Sequence, residues 1–121
     1  MGLSKPKNVL YGGGGLEMEL LWENASPTSG FSAQTLNLDL SEYEYIVVLC
    51  TAASTAIGFI GSSTVIQQPE GKNYLRRIEI KSDGIDFYDT YRYETYGTGA
   101  TVVASDACIP YRIFGIKGVS K

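Results

Sequence analysis

The sequence predicts an all-β domain: an antiparallel β-sandwich of jelly-roll-like type, with about eight strands and an extended N-terminal arm. Three observations lead there. Leu36, Leu38 and Leu40 recur at period two with Asn37 and Asp39 between them, the pattern of a strand that buries one face and wets the other. Glycine (14) and tyrosine (9) are both frequent, which suits short strands joined by many turns. No stretch keeps apolar residues at helical spacing long enough to form a helix.

The chain has 121 residues, enough for one domain with a core that needs no disulfide staples. With 44% hydrophobic and 19% charged residues, it is globular rather than disordered. The reading divides it into an arm and glycine hinge, residues 1–16, and a β-sandwich domain, residues 17–121. The arm carries Lys5, Pro6 and Lys7, then Val9, Leu10 and Tyr11, then four glycines at 12–15. A phosphate cradle would need a Lys-Ser/Thr pair and a helix start after the glycines. Neither follows, so the glycines read as a hinge, and Val9, Leu10 and Tyr11 as the part that a partner surface would hold.

Residues 17–23 form the first expected strand, with Met18, Leu20 and Trp22 on one face. Trp22, the only tryptophan, precedes a turn at 24–30 and packs under it to close one end of the core. The period-two leucines end a second strand over 31–40. Residues 41–44 have capping-box spacing but no helical run behind them, so a tight turn is expected. Residues 45–52 are apolar on both faces and read as a central strand. Residues 57–60 and 64–67 read as a short hairpin, and 68–73, with Pro69 and Gly71, as a loop. The clearest hairpin joins 74–81 to 85–93 through Asp83-Gly84, a pair that tolerates positive φ. A polar, glycine-rich loop with a short strand at 100–104 leads to a last strand at 108–118.

Much chemistry is excluded. Net charge is −3 and the basic residues are scattered, a poor surface for nucleic acid. There is no histidine, which removes Ser–His and Cys–His nucleophile pairs and most zinc sites. Asp83, Asp86 and Asp89 do not make a calcium loop. Residues three apart on a strand face opposite sides, so Asp86 and Asp89 are not expected to converge on one bond. The chain is read as no enzyme, with no cofactor and no metal. The longest apolar run, 45–50, is too short to span a bilayer, and no targeting signal is present, so no membrane partner is expected. Cys50 and Cys108 read as two buried free thiols, with a bridge between neighbouring strands left open. Asn24-Ala25-Ser26 matches the glycosylation triplet and, without export, is a turn.

One stretch stands out: residues 88–97, where Tyr88, Tyr91, Tyr93 and Tyr96 are interleaved with Asp89, Arg92 and Glu94. Tyrosine supplies rigid amphipathic contact area at low entropy cost, and rings beside carboxylates and arginine suit sugars. It is also an ordinary strand residue. If this stretch carries a ligand surface, Tyr91, Arg92, Tyr93 and Tyr96 are the candidates.

Two segments carry a resemblance. Residues 20–43, from Leu20-Leu21-Trp22-Glu23-Asn24 through Pro27-Thr28-Ser29, Phe31, Ala33-Gln34-Thr35 and Leu40-Ser41-Glu42-Tyr43, resemble the opening of a β-rich domain. That domain occurs in tail-fibre, baseplate and head-fibre-like proteins of bacteriophages and prophages. Residues 108–118, Cys108-Ile-Pro-Tyr-Arg-Ile-Phe-Gly-Ile-Lys-Gly118, resemble its closing strand. Together they bracket residues 18–119. Glu23 and Ala25 stand where that group has Thr and Pro. The resemblance implies a virion protein made in the host bacterial cytoplasm. It would be displayed on capsid or tail among other virion proteins, as a homo-oligomer, a trimer before other states, with a host-surface glycan as a further contact. It assigns no functional residues. The competing class is a non-viral carbohydrate-binding, lectin-like module.

Overall fold

Among the residues that the computed structural model describes (9–11, 17–70, 72–93, 100–104 and 107–117), every regular element is a strand. In chain order they are β1 (Val9–Tyr11), β2 (Glu17–Glu23), β3 (Gln34–Asn37), β4 (Tyr45–Thr51), β5 (Ala56–Gly58), β6 (Ser63–Glu70), β7 (Lys72–Lys81), β8 (Gly84–Tyr93), β9 (Ala100–Ala104) and β10 (Ile109–Lys117). One sheet runs β1-β2-β10-β4-β5. The other runs β3-β8-β7-β6, with β9 also on β8. All pairings are antiparallel. Since β7 lies along the whole of β8, β3 and β9 share its other side end to end: β3 on residues 84–87, β9 on residues 90–93. Among the described residues no helix is long and apolar enough to cross a membrane.

The two sheets enclose one core in a β-sandwich. Ile46, Val48 and Ile113 from the first sheet meet Ile66, Ile78, Ile80, Ile85 and Phe87 from the second, all nearly or fully buried. β4 is central and buried on both faces, as its unbroken apolar run requires. Leu36 and Leu38 pack against the core and Leu40 is completely buried. Phe31 stands edge-on to both Trp22, at 5.8 Å, and Phe87, at 5.1 Å, and the tryptophan packs, partly buried, against the core. At the opposite end Tyr43 donates its phenol proton to the buried Glu19 carboxylate. Its ring lies over Gly115, where a Cβ would come within 2.6 Å of ring carbon.

Several expectations are corrected. Met18, Leu20 and Trp22 do not share a face: an extra residue, Leu21, interrupts the pairing of β2 with β10. Trp22 therefore turns to the core while Leu20 pairs with Phe114, which lies outside the core cluster. Residues 57–60 and 64–67 are not a hairpin. β5 pairs with β4 and β6 with β7, so the turn at Gly61 (φ 93°) carries the chain from one sheet to the other. Residues 68–70 and 72–73, expected in a loop, belong to β6 and β7, which pair as far as Glu70↔Lys72 with Pro69 on the edge strand. The turn between β7 and β8 centres on Ser82-Asp83. Gly84 is needed because a Cβ there would meet the Leu36 carbonyl oxygen at 2.2 Å.

Both cysteines are buried and unbridged. Burial pushes the Cys50 thiol up to about 12 and the Cys108 thiol up to about 11. The largest buried polar side chain is Arg76. Its Nε donates to Thr90 Oγ1 at 2.7 Å and one terminal nitrogen donates to the Phe31 carbonyl at 2.6 Å. Thr90 Oγ1 in turn donates to the Ala107 carbonyl at 3.0 Å. One guanidinium thus ties β7 to β8 and to the loop that precedes β3, while burial lowers its pKa.

Candidate functional site

The large apolar side chains that remain exposed among the described residues fall into two groups: Tyr45, Ile57 and Phe59 on one sheet, and Val65, Tyr88 and Tyr91 on the other. The second group lines a concavity of about 410 Å³ together with Leu75, Arg77 and Asp89.

Strand pairing explains how these six side chains meet. β6, β7 and β8 are neighbours, and Val65 pairs with Arg77, while Leu75 pairs with both Gln67 and Tyr91. The pairs Arg76↔Thr90 and Ile78↔Phe87 leave one residue on β7, Arg77, opposite two on β8, Tyr88 and Asp89. This is a β-bulge, and it resets the alternation. Phe87 and Thr90 both point into the core, while Tyr88 and Asp89 both stand on the outer face. The expectation that Asp86 and Asp89 face opposite sides is overturned here. Three residues apart across a bulge, they share a face.

The groove is braced by a small network. The Arg77 guanidinium lies 4.6 Å from the centre of the Tyr88 ring, a favourable stacking arrangement. Arg77 donates to Glu79 Oε2 at 3.1 Å, and the Tyr88 hydroxyl donates to Glu79 Oε1 at 3.0 Å. Donation to that carboxylate raises the Tyr88 pKa. Alongside, Asp86 accepts from Thr35 at 2.6 Å and pairs with Lys81 at 3.1 Å, bonds that lower its pKa. The described residues hold no group of three or more metal-ligating side chains.

Of the predicted ligand residues, Tyr91 lines the groove. Arg92 follows the parity of the buried Thr90 rather than that of Tyr91, pairs with Tyr74 and does not line the groove. Alternation along a strand separates neighbours, so Tyr91 and Arg92 cannot act together on one face. Tyr93 ends β8, paired with Asn73 and Ala100. Tyr96 lies outside the described residues. Sequence reasoning missed Val65, Leu75 and Arg77 as lining. The bulge had left one trace: Ile85, Phe87 and Thr90 step by two and then by three.

The first sheet's outer face has a different character. Leu20, Phe114, Val47 and Ile57 form an apolar row across four strands. Met18, Ile116 and Tyr45 form a second row, and Phe59 follows directly after β5. Phe114 and Val47 in the middle are buried, while Tyr45, Ile57 and Phe59 are 45%, 58% and 58% exposed. At the far edge of this sheet Val9, Leu10 and Tyr11, the arm residues expected to dock on a partner surface, form β1 on the chain's own β2. No family model, curated protein or solved structure matches the chain.

Proposed function

We propose that this chain is a bacteriophage virion structural protein: an accessory domain displayed as a head fibre, capsid decoration or tail-fibre tip. In this reading the arm docks on the virion and the body projects towards the host surface. The observation that carries the reading is the unlike character of the two outer faces. The arm strand β1 belongs to the same sheet as the two apolar rows, whose ends at Tyr45 and Ile57, with Phe59 beside them, are exposed. An exposed apolar patch of that kind marks a surface meant to be covered, by virion proteins or by further copies in a homo-oligomer, a trimer before other states. The other sheet presents ion pairs, tyrosines and an open groove, as a solvent-facing surface would. The two segments that resemble phage fibre domains also lie together, because β2 pairs with β10.

The test is to purify particles from a culture producing the phage or induced prophage and look for the chain by mass spectrometry and antibody labelling. The reading expects a fixed copy number per particle and labelling at one site on capsid or tail. A chain that stays in the soluble lysate and is absent from particles refutes it. The groove favours a second reading, a non-viral carbohydrate-binding module, which expects that absence together with sugar binding.

A further inference from the structure

We propose that the groove over β6, β7 and β8 is a binding site for an uncharged saccharide, with Tyr91 as its stacking platform and Asp89 and Arg77 as its polar contacts. The inference rests on the display reading only for where the sugar would come from. The site itself stands on geometry.

The groove is a built surface. Without the bulge, either Tyr88 or Asp89 would point into the core; with it, both face out opposite Arg77. Tyr88 is held at two points, beneath Arg77 and through its hydroxyl to Glu79. Arg77 is held by the same carboxylate. Preorganised side chains of this kind lower the entropy cost of binding. The concavity of about 410 Å³ lies within the roughly 300–1,000 Å³ of small-ligand sites.

Its chemistry selects the ligand class. Asp89 makes no hydrogen bond or ion pair among the described residues. Its carboxylate can therefore accept from a ligand. Arg77 is half exposed, with one terminal nitrogen engaged on Glu79, and a guanidinium has five N–H donors. Val65 and Leu75 are apolar, and Tyr91 is 39% exposed. A cation drawn to Asp89 meets the Arg77 charge, and an anion drawn to Arg77 meets Asp89 and Glu79. A wholly apolar ligand would desolvate both charges without replacing their hydrogen bonds, which is costly. A sugar ring meets every condition. Its hydroxyls donate to Asp89 and accept from Arg77, while its C–H face covers Tyr91 and the aliphatic floor.

The experiment titrates the full chain with neutral oligosaccharides of glucose, mannose, galactose and N-acetylglucosamine, read by calorimetry and by saturation-transfer NMR on the tyrosine rings. Oligolysine and a sialylated oligosaccharide serve as charged probes. At least one neutral sugar is expected to bind. Tyr91→Ala and Asp89→Asn should each weaken it about tenfold or more, equivalent to about 1.4 kcal/mol. Ile57→Ser, on the far face, should leave it unchanged, and an unaltered urea midpoint shows that each variant folds. The proposal is overturned if no neutral sugar binds at millimolar concentration, if only the charged probes bind, or if both groove variants bind like the parent. Any of these leaves the virion reading to its own test. Conversely, sugar binding by a chain absent from particles refutes that reading and not this one.

Discussion

Replacing Thr90 by valine tests the polar clasp at the centre of the fold. Thr90 is fully buried, and its hydroxyl both accepts from Arg76 Nε and donates to the Ala107 carbonyl. Valine nearly matches threonine in shape, so Thr90→Val opens no cavity and isolates the hydrogen bonds. The bond to the guanidinium is charge-assisted and contributes about 1.5–3 kcal/mol; the bond to Ala107 is neutral and contributes about 0.5–1.5 kcal/mol. The added methyl returns somewhat less than about 1 kcal/mol. The net expected loss is about 2–3 kcal/mol. For a urea m-value of about 1–3 kcal/mol/M, that lowers the unfolding midpoint by about 0.7–3 M. Trp22 fluorescence is the natural probe, because the ring packs on Phe31, whose carbonyl the same arginine holds. A double-mutant cycle with Arg76→Met should return a coupling of about 1.5–3 kcal/mol. A Thr90→Val cost below about 1 kcal/mol, or a coupling near zero, would refute the clasp as a stabilising unit.

Gly115→Ala should cost about 1–3 kcal/mol, measured by the same unfolding curve, because the new methyl enters the Tyr43 ring; an unchanged midpoint would show that the ring can step aside. Lys81→Met removes an exposed pair with Asp86 and should change stability by less than about 1 kcal/mol. Both thiols should resist Ellman's reagent in the native protein and react promptly in urea, so fast native labelling of either would contradict their burial. Their pKa values also set an alkaline limit. The folded-state values of about 12 and about 11 lie above the ordinary 9.0, so the unfolded chain loses these protons first. Their contribution to stability is whole below pH 9.0 and declines as pH rises through the folded values. Melting curves at pH values on either side of this window should show the fall, and a Cys50→Ala/Cys108→Ala variant should show less of it.

The fold class was legible because period-two leucines, turn clusters and the β4 run are local signals. The bulges that reset Trp22 and Asp89 were not, because a bulge is decided by the partner strand. Trp22 was assigned to the face of Leu20 until pairing with β10 inserted Leu21 between them. Asp89 was assigned to the wrong side of β8 for the same reason. The crossover at Gly61 looked like a hairpin, since two short apolar runs around a glycine read alike whether their partners are each other or separate sheets. Tyr91 was found from composition. Arg77, with which it lines the groove, lies 14 residues earlier and reaches it only through the β7–β8 ladder. Arg76 shares the parity of Ile78 and Ile80, so alternation points it inward, but the Thr90 and Phe31 partners that allow its burial lie far away in sequence.

The split edge of β8 has a consequence for how the domain breathes. β3 ends its pairing at Phe87 and β9 begins at Thr90, so the gap on that side falls at Tyr88 and Asp89, the two bulged residues of the other side. Neither ladder is continuous there. β8 is thus interrupted on both edges at one point, while the β6–β7 ladder runs past it without a register shift. Amide exchange with solvent should be fastest along β8 at that interruption. The groove lies over that interruption, so a ligand seated on Tyr91, Asp89 and Arg77 should slow exchange at Tyr88 and Asp89.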